Sequence, residues 1–388
     1  MQKAARIPAI DLLRGFVIAL MALDHTRDFF GLAPFAPEDL AATTPGWFWT
    51  RWITHLCATA FILLAGSSAF LRGSARGIPE LSRYLLTRGA ILIALEVTWL
   101  SFSWQLGYNV IILQVLWAIG AGMMIMAALV WLPRSVIALI ALALIAGHNA
   151  LDAIEVNMFD GWDWKELAWM ALHQEGFIPF AHGAALAGVV MRYPLLPWVG
   201  LMAAGYVLGP VFLWERARRQ RFLLVAACAL LLVFVALRSV NMYGDPWTWA
   251  PQQRGLMFDF MSFMRVNKYP PSLLYLCITG AISLGLLLAF ERFGGNRVIA
   301  LFGRTPMFFY LVHVALIHFL GNLYMELRFG GGPDYSGPQA VWPAGYEASL
   351  TVVYLAWAAM LVLMYALTLL WCRWRQGTRA GPVVPHAA

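Results

Sequence analysis

The stretch DLLRGFVIALMALDHTRDFF, residues 11–30, decides the fold. It is apolar through its middle, yet it carries Asp11 and Arg14 at one end and Asp24, His25, Arg27 and Asp28 at the other. An ionisable side chain at the centre of a bilayer costs roughly 2.5 to 3.5 kcal/mol on insertion scales unless it faces protein or water. The segment therefore reads as a helix inside a membrane bundle, with its charged face turned away from lipid. Composition agrees: 61% of the 388 residues are hydrophobic and 12% charged, with a mean hydropathy of +0.69, where a soluble domain is about 25% charged.

Working outward, apolar runs of bilayer length, about 20 residues as helix, fall near 9–30, 52–71, 85–105, 109–132, 135–151, 195–214, 222–240, 271–291, 298–322 and 349–372. The fold class is all-α: a polytopic bundle of about ten transmembrane helices forming one domain over 1–388, with 372–388 as a solvated tail. With the N-terminus cytoplasmic, 18 of the 27 Lys and Arg lie on the inner side, including the run ERARRQR at 215–221. The positive-inside rule expects this asymmetry, and both termini are then cytoplasmic. The outer loops are long, GWDWKELAWMAL at 161–172 reads as an interfacial amphipathic helix, and 172–192 as a re-entrant or interfacial segment. The segment at 9–30 carries charges and no small-residue cleavage site, so it is not read as a signal peptide. Cys57, Cys228, Cys277 and Cys372 have no paired or metal-type spacing and read as packing residues.

On this topology His25, His55, His148, His173, His182, His313 and His318 all fall in the outer half, leaving only His386 inside. Imidazoles exchange protons near neutral pH, so a cluster at one depth points to acid–base chemistry or proton movement. His25 has local partners. Arg14 lies 11 residues before it, close to three helical turns and about 16 Å along the axis, and Asp28 lies one turn after it. A carboxylate, Asp24 or Asp28, is expected to orient the imidazole. His55 opens the second crossing, before Ala65, Gly66, Ser67 and Ser68, which permit close helix approach. Glu96 at mid-membrane requires pairing or protonation, with Arg88 or Arg14 as partner. Pro306 loosens the ninth crossing, on which Tyr310 and His313 share a face. Arg304 is a further internal cation, and Lys268 stands just before the eighth crossing.

No phosphate-binding glycine loop, HExxH motif or serine elbow is present. The histidines show no single-turn chelating pair, so no metal is expected. Nucleic-acid binding has no support beyond basic inner loops that the topology explains. A proton-coupled transporter using His25, Glu96 and the aspartates as relay is the alternative from another class, although no internal repeat supports it. A non-catalytic scaffold would have no use for so many buried ionisable groups.

The blocks RIPAIDLLRGFVIALMALDHTRDFF, THLCATAFILLAGSSAFL, YPLLPWVGLMAAGY, NKYPPSLLYL and FGRTPMFFYLVHVALIH resemble bacterial membrane proteins of the heparan-α-glucosaminide N-acetyltransferase catalytic-domain family. The spacing of Arg14 and His25 is also similar to the first helix of acyltransferase-3 enzymes, which acylate sugars outside the cytoplasm. The resemblance implies an O- or N-acetyltransferase of the bacterial inner membrane. It would move an acetyl group from cytosolic acetyl-CoA to an extracytoplasmic glycan or glycolipid, as a monomer or a homo-oligomer. The animal enzymes have asparagine where His25 stands and their catalytic histidine about three turns on, a distance that reaches Ala36 here. The catalytic role therefore goes to His25 as base or acyl carrier, with Asp24, Asp28 and His55. The acyl-CoA phosphates are assigned to Arg14, Arg88 and Arg304, and the acceptor to Glu96, His313, Tyr310 and Lys268, with Trp162, Trp164, Trp247 and Trp249 as sugar platforms. The scheme requires Arg14 and His25 to border one continuous hollow.

Overall fold

The structure, a computed structural model, describes residues 7–156, 164–180, 187–332 and 342–377. The opening stretch forms α1 (Pro8–Phe30), with proline in the first turn, where its missing N–H costs nothing. The chain continues through α2 (Pro45–Arg76), α3 (Ile78–Gln105), α4 (Val115–Leu129), α5 (Arg134–Leu151) and a short α6 (Trp164–Leu172). Then come α7 (Leu195–Leu213), α8 (Arg216–Val240), a short α9 (Leu256–Met264), α10 (Leu273–Phe293), α11 (Arg297–Arg304), α12 (Pro306–Phe329) and α13 (Leu350–Gly377). Eight of these are long and apolar enough to cross a membrane. Two further helices, α1, whose charges set it apart, and the 15-residue α4, bring the described residues close to the ten crossings expected.

Burial sorts the bundle. The apolar windows of α2 and α7 are 72% buried, whereas those of α8 and α13 are 17% buried and form the lipid-facing rim. Helix α1 sits at the centre: Asp11, Asp24, His25 and Arg27 are all among its buried residues. It keeps its ionisable groups because protein, not lipid, surrounds them.

Backbone contact holds two of the central crossings. A Cβ at Gly66 of α2 would lie 2.0 Å from the Met202 carbonyl of α7, and one at Gly303 of α11 would lie 1.7 Å from the Asp11 carbonyl of α1. Helices with no apolar driving force between them in lipid gain from such approach. Gly303→Ala should therefore force α11 off α1 at a cost of about 1–3 kcal/mol. Gly285→Ala on α10, with open space around its Cβ, should be neutral or slightly stabilising. The thermal unfolding midpoints of the two variants in detergent check this; equal midpoints would show that the α1/α11 contact is dispensable.

Three sequence expectations change in detail. The crossing placed at 109–132 begins with a strand, β1 (Val110–Leu113), and only then becomes helix α4. The interfacial segment at 172–192 contributes β2 (Gly176–Pro179) and β3 (Gly188–Met191). Strand β3 is central, parallel to β1 with Val110 opposite Gly188, and antiparallel to β2 with Gly176 opposite Met191. Short apolar runs do not distinguish buried strand from helix by periodicity, and the pairing here is between distant segments. The ninth crossing is split at Thr305 into α11 and α12, as Pro306 leads one to expect. Of the interfacial helix, 164–172 is helical, and 161–163 lies outside the described residues.

The outer loop at 241–270 is fastened from below by Arg238, fully buried near the end of α8. Its guanidinium donates to the carbonyls of Phe263, Trp247 and Ser262 at 2.8, 2.6 and 2.9 Å, and to that of Arg265. One cation thus satisfies several buried acceptors and fixes the approach to Lys268.

Candidate active site

The outer half of α1 borders a cavity of about 480 Å³ that Asp24, His25, Arg27 and Asp28 all line. Lys268, Tyr269, Tyr310, Tyr193, Arg192, Gln114 and Trp104 close it from other elements. His25, Asp24, Asp28, Tyr310 and Lys268 therefore converge here, and His313 joins them through His25.

The expected carboxylate does not orient the imidazole. Asp24 is instead the centre of an ion-pair cluster: Arg51 Nη1 donates to its two oxygens at 2.9 and 2.7 Å, and Arg27 approaches at 3.0 Å. Asp28 pairs with Arg27 at 2.5 Å. Carboxylates within reach of two guanidiniums bind those in preference to a neutral imidazole, because charge-assisted hydrogen bonds are roughly twice as strong.

His25 is held by His313, its Nδ1 2.9 Å from His313 Nε2. The protonation pattern follows from the next contacts. His313 Nδ1 lies 2.9 and 2.8 Å from the carbonyls of Phe309 and Tyr310. Carbonyls only accept, so this nitrogen carries the hydrogen and Nε2 of neutral His313 is an acceptor. His25 must then donate from Nδ1, which leaves its Nε2 unprotonated and available to the cavity. The backbone of α12 fixes the tautomer of a histidine on α1.

His55 lies beside the cavity, not on its wall, with Nε2 2.9 Å from Glu38 Oε1. Glu38 also meets Arg51 at 3.4 Å. Burial alone would raise the Glu38 carboxyl, but the Arg51 guanidinium and the hydrogen bond with His55 outweigh it and hold the group well below the usual carboxylate range. Glu38 belongs to LAPFAPEDL, the loop reached by counting on from His25, so the loop supplies a carboxylate where a histidine was sought. Tyr269 shows the same competition: burial raises its phenol, and Lys268 with Arg51 brings it below its ordinary value.

The remaining candidates are placed elsewhere. Glu96, in a π-turn spanning Glu96–Leu100, accepts from the backbone N–H of Gln114 at 2.7 Å and of Leu116 at 3.0 Å. It caps α4 in place of an arginine pair, a favourable site for an anion at a helix N-terminus, and does not itself line the cavity. Arg88 is exposed on α3 near the Tyr84 ring, and Arg304 is exposed at the end of α11; neither lines the outer cavity or the second one described next. Trp164 is 73% exposed, and neither Trp247 nor Trp249 lines the outer cavity, where Trp104 and Trp47 stand instead. Trp162 and His182 lie outside the described residues.

Arg14 faces a second cavity, of about 960 Å³, at the N-terminal half of α1. Its guanidinium donates to Ser68 at 2.5 Å, and Arg216, Arg219 and Glu291 line the same space. Arg219 meets Glu291 at 2.5 Å. Among the described residues, Arg14 and His25 line two separate cavities in place of the single continuous hollow expected. From Arg14 to Met21, the first α1 residue on the outer cavity, is seven residues, about 10 Å of helix. Val17 and Ile18 fill that interval fully buried, with Leu64 of α2 1% exposed. Cys57 Sγ donates to the Val17 carbonyl at 3.1 Å and ties α2 to α1 there.

Sequence reasoning missed Arg51, Glu38, Tyr193 and Arg192 in the outer cavity, and Arg219 with Glu291 in the inner one. Arg51, four residues before His55, and Arg219, in the basic run, were visible only as loop charge; nothing local marks their partners.

Comparison with known protein families matches residues 6–244 to the family described as heparan-alpha-glucosaminide N-acetyltransferase, catalytic. No curated protein matches the chain. The match covers more than half of the sequence and includes the whole of α1, α2 and the strands above the outer cavity, so the chain belongs to the heparan-alpha-glucosaminide N-acetyltransferase catalytic family, a family of membrane acetyltransferases.

Proposed function

We propose that the protein transfers an acetyl group from cytosolic acetyl-CoA to a hydroxyl or amine of an extracytoplasmic sugar or glycolipid, across a bacterial inner membrane. The observation that carries this reading is the free Nε2 of His25, held in one tautomer by His313 and facing a polar cavity on the outer side. An unprotonated ring nitrogen so placed can take the acceptor's proton as the thioester is attacked, or take the acetyl group first and pass it on.

The whole chain acts as one unit in this scheme, because Lys268, Tyr310 and His313 lie beyond the family match and complete the site begun by α1. The donor enters from the inner cavity, where Arg14, Arg216 and Arg219 offer guanidiniums to the phosphates of CoA. The outer cavity takes the acceptor: Trp104 and Tyr193 provide apolar ring faces, and Lys268, Arg192 and Gln114 provide donors. Between the two lies the layer of Val17, Ile18, Cys57 and Leu64. Transfer therefore includes a conformational step in which α1 and α2 part at this layer to pass the pantetheine arm. The relay of the transporter reading lacks a member, since Glu96 is spent on the α4 N-terminus and lines neither cavity.

The test is donor binding by purified protein in detergent. Acetyl-CoA should bind saturably, and Arg14→Ala and Arg219→Ala should each weaken it by roughly tenfold or more, the loss expected for a charge-assisted hydrogen bond. No binding by wild-type protein would remove the donor side of the mechanism, and undiminished binding by both variants would move the donor site elsewhere.

A further inference from the structure

Outside the cavity of His25, the end of α5, which carries His148 and Asp152 four residues apart, meets the end of α6, which carries His173 21 residues after Asp152. His148, Asp152 and His173 each present a ligand atom within 4.8 Å of the other two. The two histidines are 25 residues apart, so no histidine pair at single-turn spacing marks the cluster in the sequence. His173 Nε2 is 2.9 Å from Asp152 Oδ1, and the rings of His148 and His173 meet at a centroid distance of 5.7 Å.

The second observation concerns His148 itself. It is 2% exposed, and neither of its ring nitrogens has a hydrogen-bond partner among the described residues; the same holds for Nδ1 of His173. Native structures seldom leave buried polar groups in this condition, and a bound ion is one of the few physical reasons for it. The outer shell is also in place. Asn149 Nδ2 donates to the other Asp152 oxygen at 2.8 Å, while Asn149 Oδ1 accepts from the Leu273 N–H at 2.9 Å. A ligating carboxylate oriented by a fixed amide is what metal sites require around their first ring of donors.

We infer that His148, Asp152 and His173 form a site for a divalent transition-metal ion, zinc by the chemistry of its two imidazoles and one carboxylate. Such donors bind zinc at about 2.0–2.2 Å in tetrahedral geometry, with a water completing the set. Ligand atoms then stand about 3.4 Å apart, so the trio contracts slightly around the ion and the His173–Asp152 pair opens. The ion would brace the outer cap. It joins α6 to α5, and two residues beyond His173 the chain pairs Glu175 with Arg192 at 3.0 Å on the rim of the outer cavity.

The test uses the full chain, purified without a polyhistidine tag, stripped with chelator and titrated with cobalt(II) in detergent. Wild-type protein should develop the visible absorption of a tetrahedral cobalt centre at close to one equivalent, and zinc should displace it. His148→Ala and His173→Ala should lose the signal, and Asn149→Ala, which keeps all three ligands, should weaken binding roughly 10- to 100-fold. Absence of a saturable signal in wild type overturns the proposal, and so does an equal signal in the variants, which would mean an adventitious ion only. Should a ligand variant fail to fold, the wild-type titration decides alone.

Discussion

Replacing His25 by alanine should lower acetyl transfer by a factor of roughly 100 to 10,000, the usual contribution of a positioned acid–base group, and leave acetyl-CoA binding unchanged. In the proposed scheme the donor's phosphates are held about 16 Å away at Arg14, in a cavity that His25 does not line, so binding and chemistry should separate. His313→Ala should show the same split with a smaller loss. It touches the reacting ring only through Nδ1, and its removal frees His25 to adopt the wrong tautomer part of the time. Because His313 positions and does not react, the loss should fall in kcat and alter the pH profile, with KM for the acceptor little changed. Turnover of acetyl-CoA and a model acceptor by the two purified variants, across pH, provides the measurement. Wild-type turnover by His25→Ala would end the mechanism, whereas a dead His25 variant beside an unaffected His313 variant would end only the tautomer argument.

The second large effect is on stability. Asp24→Ala leaves the Arg27 and Arg51 guanidiniums, whose side chains are 8% and 10% exposed, without the carboxylate they share. Removing one member of a buried ion pair costs about 3–5 kcal/mol, because an uncompensated buried charge is left behind. Asp28 and Glu38 retain one contact each to these arginines, so the fold should survive at a lower unfolding midpoint. The double change Asp24→Ala with Arg51→Met should recover much of the loss, since an apolar replacement of a whole buried pair is often near neutral. If Asp24 instead oriented His25, as its place in the sequence suggests, the single variant would lose kcat at unchanged midpoint. Thermal unfolding and turnover measured on one preparation distinguish the two roles.

The contrast between these two residues shows where sequence reading stops. Asp24 and His25 are neighbours on one helix, and helical spacing alone brings Asp28 within a turn of the imidazole. Proximity in sequence placed these groups on one cavity but did not show which of them pair. Arg51 comes from α2 and His313 from α12, and the stronger electrostatic partner took the carboxylate while a backbone-fixed histidine took the ring. Likewise Glu96 was recognisable as a group that needed a partner, but its partners are two backbone N–H groups of α4 that no side-chain inventory could display.

The sequence by itself determined that this is a membrane bundle of about ten helices and that the first helix must face protein, because a bilayer penalises each unshielded charge wherever it lies. Only the tertiary structure decided what those charges touch. The His25 tautomer, the Asp24 cluster, the buried layer dividing the two cavities and the meeting of His148 with His173 all arise from segments far apart in the chain, and their energies fall off too steeply with distance to leave a mark on local sequence pattern.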